Sequence, residues 1–102
     1  MGNNNMDEKV SVQRGAAEKK LDSFRELEAG WYHGEGIAPS AALIEKAKTL
    51  VQELSDLGVP YFNVFPEPEG SIEVTAHHRG SSWVFLFKPD KTIEFYWDEV
   101  EE

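Results

Sequence analysis

Apolar residues recur at two periods along the chain, every three to four residues in its first part and every second residue after Pro60. The first helical run starts at Ala16 and stops before Gly30, with apolar positions at Ala17, Leu21, Phe24 and Leu27. Spacings of three and four place these side chains on one side of a helix, and glycine is common just past a helix end. The pattern therefore predicts a short amphipathic helix.

A second helix is predicted from about Ala41 to Leu57, with signals at both ends. Ser40 is a good N-cap residue, because its hydroxyl can accept a hydrogen bond from a free amide of the first turn. Gly58 and Pro60 end the helix, since the first suits a C-terminal cap and the second cannot continue a helix. The apolar stripe indicates a surface that faces the core: Leu43, Ile44, Ala47, Leu50, Val51, Leu54 and Leu57.

The alternating part of the chain divides into four short strands, which read YFNVF, SIEVTAHH, SWVFLFK and TIEFYW. The separators PEPEG, RG and PDK are short and contain turn residues, so consecutive strands are expected to pair antiparallel. The sequence thus predicts an α+β fold of the order ααββββ. In this fold the two helices pack on one face of a three- to four-stranded antiparallel meander.

The two later hairpins give a consistent register. A two-residue loop at Arg79 and Gly80 and a three-residue loop at residues 89–91 place the same residues of the middle strand on the same face. The predicted inner face has three cross-strand rows, which the second helix is expected to cover: Ile72, Phe87 and Ile93; Val74, Phe85 and Phe95; Ala76, Trp83 and Trp97.

Composition bounds the number of domains and the compartment. A chain of 102 residues is long enough for one core, and we expect a disordered arm at 1–14, a single α+β domain at 15–98 and an acidic tail at 99–102. The chain has no cysteine, which excludes disulfides and thiolate metal sites. Its start has neither the basic flank nor the apolar centre of a signal peptide, and we expect a cytoplasmic protein.

The charge is strongly negative and unevenly distributed. The formal net charge is −9, and the nine acidic and three basic residues of 67–102 contribute −6 of it. Such a surface repels phosphate backbones and attracts basic protein surfaces. The charge therefore argues against a nucleic-acid partner and favours a protein partner with a basic surface, although it also serves solubility.

The chain resembles a group of small, largely uncharacterised bacterial proteins in three segments: LDSFRELEAGWYHGEGIAPSAALIEKA, FNVFPEPEGSIEVTAHHRG and FKPDKTIEFYW. Those proteins pair a Gly-Trp-x-x-Gly-x-Gly corner between two helices with a short acidic β-meander. The similarity covers about residues 20–98. It implies the same α+β fold, and it carries over no activity and no catalytic residues. Where such chains often have glycine in the last hairpin, this one has Lys91.

The glycine-rich stretch GWYHGEGIAPS at 30–40 has two interpretations. Glycine-rich loops before a helix can bind phosphate through free amides, but such loops normally follow a strand, whereas this one follows a helix. The other interpretation is a helix-helix corner in which Trp31 inserts into the core. An enzyme or ligand-binding domain with its site at Trp31, His33 and Glu35 stays open as an alternative.

The remaining polar residues predict no catalytic or metal site. His77 and His78 are adjacent on a strand and point to opposite faces, so they cannot chelate one ion together. The register places His77, Ser82 and Asp98 in one outward row, but the serine lies between the other two, and an imidazole cannot then bridge serine and aspartate. We expect no cofactor, no bound metal and no enzymatic activity.

The outer face of the sheet carries the candidate partner-binding surface. Apolar side chains in its centre and acidic ones at its rim have the layout of a protein contact surface: Phe65, Glu73, Val84, Leu86, Glu94, Tyr96 and Asp98. We expect a non-enzymatic, acidic protein-binding module, of the kind found among inhibitors, antitoxins, immunity proteins and anti-defence proteins. The alternative is a homo-oligomeric structural or accessory subunit that uses the same face on itself.

Overall fold

A computed structural model describes residues 12–99 of the chain. The described part contains helix α1 (Arg14–Ser23), a 3-10 turn (Phe24–Glu26), helix α2 (Ala41–Asp56) and strands β1 (Tyr61–Pro66), β2 (Ile72–His78), β3 (Ser81–Phe87) and β4 (Ile93–Glu99). The strands form one antiparallel sheet in the order β1-β2-β3-β4. The predicted α+β fold with two helices and a four-stranded meander is thus confirmed.

Helix α1 begins earlier and ends earlier than the apolar spacing predicts. Val12 already exchanges two backbone hydrogen bonds with Phe62 of β1, at 2.8 and 2.7 Å, so the residues just before the helix belong to the fold and not to the predicted arm. At its other end the helix tightens into the 3-10 turn, where the Ser23 hydroxyl donates to the carbonyl of Lys20. Residues 1–11 of the predicted arm and 100–102 of the predicted tail lie outside the described residues.

Helix α2 has the predicted ends. The Ser40 hydroxyl accepts a hydrogen bond from the amide of Leu43 at 3.2 Å, and Gly58 follows the helix with a φ of 105°. The buried part of the stripe is Leu43, Ile44, Ala47 and Val51. Leu57 was predicted to face the core, but it follows the last helical residue and is 80% exposed.

The predicted register is confirmed in both hairpins. Val74 lies opposite Phe85 and Phe85 opposite Phe95, so the middle row of the inner face is the predicted one. In the tight turn between β2 and β3, Arg79 and Gly80 both have positive φ angles, of 54° and 80°, as the right-handed twist of a two-residue hairpin demands.

Both helices pack on one face of the sheet, but they cover only half of it. The core joins α1 and α2 to the inner side chains of β1 and β2 and to Phe87. The expectation that α2 covers the whole inner face is wrong for β4, because the inner residues of this strand are largely exposed: Ile93 (51%), Phe95 (55%) and Trp97 (63%).

The lateral position of the two helices explains the uncovered strand. A helix with side chains is about 10 Å across and strands are about 4.8 Å apart, so one helix covers about two strands. Here α1 packs against β1 and against α2, and α2 packs against β2. Ion pairs hold the helices side by side, with Lys48 of α2 at 3.1 Å from Asp22 of α1. The helix pair is therefore centred on β1 and β2, and the inner face beyond β3 stays open.

The two edges of the sheet differ. On the β1 edge, the hydrogen bonds of Val12 occupy the outward backbone groups of Phe62. Backbone direction alternates along a strand, so Val64 and Pro66 also point their backbone groups outward, and proline has no amide to offer. Among the described residues, none pairs with the outer edge of β4. No helix in the described part of the chain is long and apolar enough to cross a membrane.

Candidate functional site

The glycine-rich corner holds itself together through its own amides. The amide of Tyr32 donates to the carbonyl of Glu35 at 2.7 Å, and the amide of Glu35 donates back at 2.8 Å. The amides of Gly30 and Gly34 also donate to carbonyls within the corner. Because a phosphate cradle needs free amides, this geometry favours the helix-helix corner over the anion site.

Trp31 does not insert into the core, and this part of the prediction is wrong. The indole is half-buried and lies outside the core cluster. Its Nε1 donates to the carbonyl of Ile37 at 3.0 Å, and a Cβ on Gly36 would lie only 3.3 Å from that nitrogen. The indole therefore stabilises the corner by packing and hydrogen bonding outside the core. His33 and Glu35, the other members of the alternative site, are exposed.

The histidines offer no metal site, as far as the structure describes the chain. Residues 12–99 contain no group of three histidine, aspartate or glutamate side chains placed to hold an ion. The pKa of Glu67 is raised, first by burial and then by the nearby charges of Glu73 and Glu69. This acidic turn is therefore a site of repulsion, and it presents no assembled ligand set.

His77 forms hydrogen bonds to two side chains, and one of these contacts was not predicted from the sequence. We call this chain of hydrogen bonds the relay. Its Nε2 lies 2.6 Å from Oδ1 of Asn63, and its Nδ1 lies 3.1 Å from Oγ of Ser82. An amide oxygen only accepts, so Nε2 carries the proton and Nδ1 accepts from the serine hydroxyl. The partner was missed because Asn63 reaches His77 across the β1-β2 pairing, whose register the sequence analysis did not assign.

The relay resembles a base and an orienting group beside a hydroxyl, but its surroundings do not complete an acyl-transfer site. Burial lowers the pKa of His77, which favours the neutral base. An oxyanion hole needs convergent free amides, whereas alternation along β3 directs the amides of Ser82 and Trp83 into the ladders with β4 and β2. We interpret the trio as a polar clamp between neighbouring strands.

The outer face of the sheet is less open than predicted. Val84 and Leu86 belong to the predicted apolar centre of the contact surface, but both are half-buried. Phe65 is also half-buried, with the Lys20 amine 4.6 Å from its ring centroid. The Glu73 carboxylate accepts from the hydroxyl of Thr75 at 3.0 Å.

The other end of this face is polar. Tyr96 is exposed and donates its hydroxyl to Glu94, whose carboxylate also lies 3.2 Å from the Lys88 amine. The tyrosine hydroxyl and then the lysine lower the pKa of Glu94. Asp98 lies opposite Ser82 in the ladder, and its side chain is outside the described residues. The seven residues predicted for partner binding thus lie along one face, but hydrogen bonds within the chain already engage several of them.

The inner face presents a different surface, a groove between α2 and strands β3 and β4. The groove encloses about 590 Å³ and is lined by Glu45, Lys46, Thr49, Leu50, Glu53, Phe85, Phe87, Ile93 and Phe95. A hollow of about 360 Å³ continues it toward the end of α2, between Leu54, Leu57 and Trp83. Phe85 and Phe95 line both, and their rings lie 5.0 Å apart, so the two hollows form one apolar groove.

The groove is apolar at its floor and charged on one wall. The floor is formed by aromatic side chains, whereas the wall carries polar side chains of α2. Glu45, Lys46 and Glu53 all line this wall, and Glu45 also forms an ion pair with Arg25. An apolar centre with charges at its margin is the usual anatomy of a protein contact surface.

The backbone of β4 adds hydrogen-bonding groups to the groove. The amide of Lys88 donates to the carbonyl of Thr92 at 2.9 Å, so position 92 faces β3, and alternation makes positions 94 and 96 do the same. Ile93, Phe95 and Trp97 consequently direct their amides and carbonyls to the free edge. The same three residues also expose their side chains on the inner face.

Sequence reasoning placed Ile93, Phe95 and Trp97 on the inner face but assigned them to the core. The apolar pattern carried no signal for this difference, because it shows which side of α2 faces the sheet and not which strands lie beneath the helix. No family model, curated protein or solved structure matches this chain.

Proposed function

We propose that this protein is a non-enzymatic protein-binding module whose contact surface is the apolar groove between α2 and strands β3 and β4. The observation that carries the proposal is the exposure of Ile93, Phe95 and Trp97 beside an unpaired strand edge. The largest apolar patch on a monomer is often a functional contact surface. A protein partner fits this surface, because an extended segment can pair with the edge while other parts of the partner cover the apolar side chains of the inner face.

The extent of the patch supports a macromolecular partner. A fully buried aromatic side chain covers about 150 to 250 Å², so the exposed parts of Phe95 and Trp97 together amount to roughly 200 to 300 Å². Ile93 and Leu57 extend the patch to about 500 Å², the upper end of the range for a monomer. A standard protein interface takes about 800 Å² from each partner, and the groove supplies more than half of that.

The alternatives have less support in the structure. The outer sheet face has half-buried apolar residues where an open centre was predicted. The corner at Trp31, His33 and Glu35 uses its amides internally. Basic partners stay favoured by the charge of −9, and a regulatory role, as in an inhibitor or an antitoxin, is compatible with binding alone.

The test compares three variants of the full chain, tagged and expressed in the source cells. Phe95→Glu places a charge in the groove, Val84→Glu with Leu86→Lys alters the outer face, and Tyr61→Glu places a charge on an exposed aromatic residue of β1. We expect the wild type to retain one protein in stoichiometric amount. The retained protein is either a different protein or an untagged copy of the same chain. Retention should be lost only with Phe95→Glu.

Two results would count against the groove. Loss of the retained protein with the outer-face variant alone would assign binding to the outer face. Absence of any stoichiometric protein with the wild type would remove the binding proposal altogether. Far-UV circular dichroism and melting of each variant separate lost binding from lost folding.

A further inference from the structure

We infer that the part of the partner that covers the groove is an amphipathic α-helix with basic side chains along its flank. This inference rests on the proposed function and names the chemistry of the partner. It follows from three features of the groove: the width of sheet that the chain's own helices leave open, the side of α2 that forms the wall, and the charge around it.

The open part of the inner face has room for one helix. The helix pair is centred on β1 and β2, and the groove floor is formed by apolar residues of the other two strands: Phe85, Phe87, Ile93 and Phe95. Two strands together are about 10 Å wide, and a helix with its side chains is about 10 Å across. A third helix laid beside α2 would therefore complete the helical layer over the sheet.

The wall of the groove has the spacing of a helix-helix contact. The side chains of α2 that line the groove recur at spacings of three and four, which place them on one side of the helix: Lys46, Thr49, Leu50 and Glu53. Helix α1 packs on the other flank of α2, where Lys48 pairs with Asp22. Leu54 continues the row of Lys46 and Leu50 at a spacing of four, and such rows are the ridges that pack against a neighbouring helix.

The length of the groove suits about three helical turns. It follows α2 from Glu45 to Leu57, and about 12 residue steps of about 1.5 Å span about 18 Å. An incoming helix of about 12 residues has the same length and presents about five apolar side chains on one face. These side chains would cover the floor of the groove.

Charge selects a basic helix. The wall carries the carboxylates of Glu45 and Glu53 and the amine of Lys46. Glu45 already pairs with Arg25, whereas Glu53 is exposed and forms no ion pair with the residues that the structure describes. Lysine or arginine side chains on the flank that faces Glu53 would give the apolar contact a rim of opposite charge. The net charge of −9 attracts the same partner from a distance.

Other occupants leave the groove unfilled or meet opposing charge. An extended segment paired with β4 lies in the plane of the sheet beside the strand, so it does not cover the floor. A small ligand is normally enclosed over about 70 to 90% of its surface, whereas the residues that line the groove form a floor and one wall. A second copy of the chain would bring another net charge of −9, and like charges repel.

Three synthetic peptides of about 14 residues test the period and the charge separately. The first contains leucine and lysine, with the leucines spaced by three and four residues so that they fall on one side of a helix. The second has the same composition but alternates leucine and lysine, which is the period of a strand. The third repeats the first pattern with glutamate in place of lysine.

Calorimetric titration of the full chain measures the affinity for each peptide. The first peptide should bind at least about tenfold more tightly than the other two, and its affinity should fall as salt screens the charges. Because isolated helices of this length are marginal in water, the helical signal in far-UV circular dichroism should rise on mixing. Amide chemical shifts of the isotope-labelled chain should change along α2, β3 and β4.

Three variants of the chain test the site. Phe95→Glu adds negative charge, which by itself attracts a basic peptide, yet it should weaken binding by about thirtyfold or more because the charge lies in the apolar contact. Glu53→Lys and Glu28→Lys change the net charge equally, and both glutamates are exposed. Only Glu53 lines the groove, so Glu53→Lys should weaken binding by about fivefold and Glu28→Lys by about twofold or less. Melting checks each fold, and Phe95→Ala, with an expected loss of about tenfold, replaces Phe95→Glu if that chain does not fold.

The peptide results decide the chemistry of the occupant. Tightest binding of the first peptide, with the expected losses at Phe95 and Glu53, supports a basic helix. Equal or tighter binding of the alternating peptide assigns an extended occupant, and tighter binding of the acidic peptide reverses the charge. Binding that is unchanged by Phe95→Glu is general attraction to an acidic surface. Each of these three results overturns the inference, and so does the absence of binding up to about 1 mM.

The retention experiment tests the proposed function separately. A different protein that is retained through Phe95 would uphold the groove proposal even where the peptide results overturn the helix. Retention of an untagged copy of this chain would overturn the basic partner. A small apolar molecule that mass spectrometry finds on the wild type and not on Phe95→Glu would assign the groove to a ligand and overturn the helix. Failure of the proposed function itself would appear as the absence of any retained protein.

Discussion

Two phenylalanines on the same sheet face should differ greatly in their contribution to stability. Phe62 of β1 is fully buried under the helices, whereas Phe95 of β4 is 55% exposed. Phe62→Ala leaves a cavity and should lower the free energy of unfolding by about 3 to 5 kcal/mol. For Phe95, somewhat under half of the roughly 200 Å² of an aromatic side chain is covered. At about 25 cal/mol per Å² that coverage predicts a loss of about 2 kcal/mol for Phe95→Ala.

Urea denaturation followed by far-UV circular dichroism measures both losses. With an m-value of about 1 to 3 kcal/mol per M, the two midpoints should differ by about 1 M or more. The measurement is made at low protein concentration, because any association of the folded chain would add to its apparent stability. Should Phe62→Ala fail to fold, Phe62→Leu gives a smaller loss of about 1 kcal/mol that the same assay resolves. Equal losses for Phe62→Ala and Phe95→Ala would mean that β4 is covered in solution and that the groove is closed.

Three further substitutions test the corner, the relay and the acidic turn. Trp31→Phe keeps a ring but removes the hydrogen bond to Ile37, so it should cost about 1 kcal/mol. An unchanged melting temperature would show that this hydrogen bond does not stabilise the corner. His77 has a lowered pKa when folded, so the unfolded chain binds protons more readily and wild-type stability should fall as pH drops below about 6.5. In urea titrations from pH 7 to pH 5, His77→Gln should reduce the dependence of the free energy of unfolding on pH. The same pH dependence in wild type and variant would show that His77 is not its cause. Glu67 has a raised pKa, so its charged form destabilises the folded state above that pKa. Glu67→Gln should raise the melting temperature at pH 7 and leave it unchanged at pH 3, and a decrease at pH 7 would show that the charged form is stabilising.

Local signals sufficed to predict most of the secondary structure. Ser40 and Gly58 mark the ends of α2 because capping depends on neighbouring residues in the sequence. The register of the last two hairpins followed from loop length and from the period-two pattern, since a shift by one residue would have mixed the faces. Lys91 takes a φ of 74° in the last hairpin, so the loop keeps its left-handed position without glycine.

Lateral placement of the helices was beyond the reach of periodicity. A stripe such as that of α2 shows which side faces the sheet, but it does not show which strands lie beneath it. The inner side chains of β2 and β4 have the same alternation in the sequence, yet Val74 is buried and Phe95 is not. Only the tertiary packing of α1 against α2 separates them, and this packing also decides which aromatic residues form the candidate site.

The two edges of the sheet offer an added strand different numbers of hydrogen-bonding groups. On the β1 edge, Val12 occupies the outward backbone groups of Phe62, and Pro66 has no amide, so Val64 is the one outward residue of this strand left with both an amide and a carbonyl among the described residues. Along β4, the outward amides and carbonyls of Ile93, Phe95 and Trp97 have no partner in the described part of the chain. Apolar edge strands with free backbone groups are the places where aggregation begins. Aggregation of this fold should therefore begin at β4, and a charged residue on that strand should delay it.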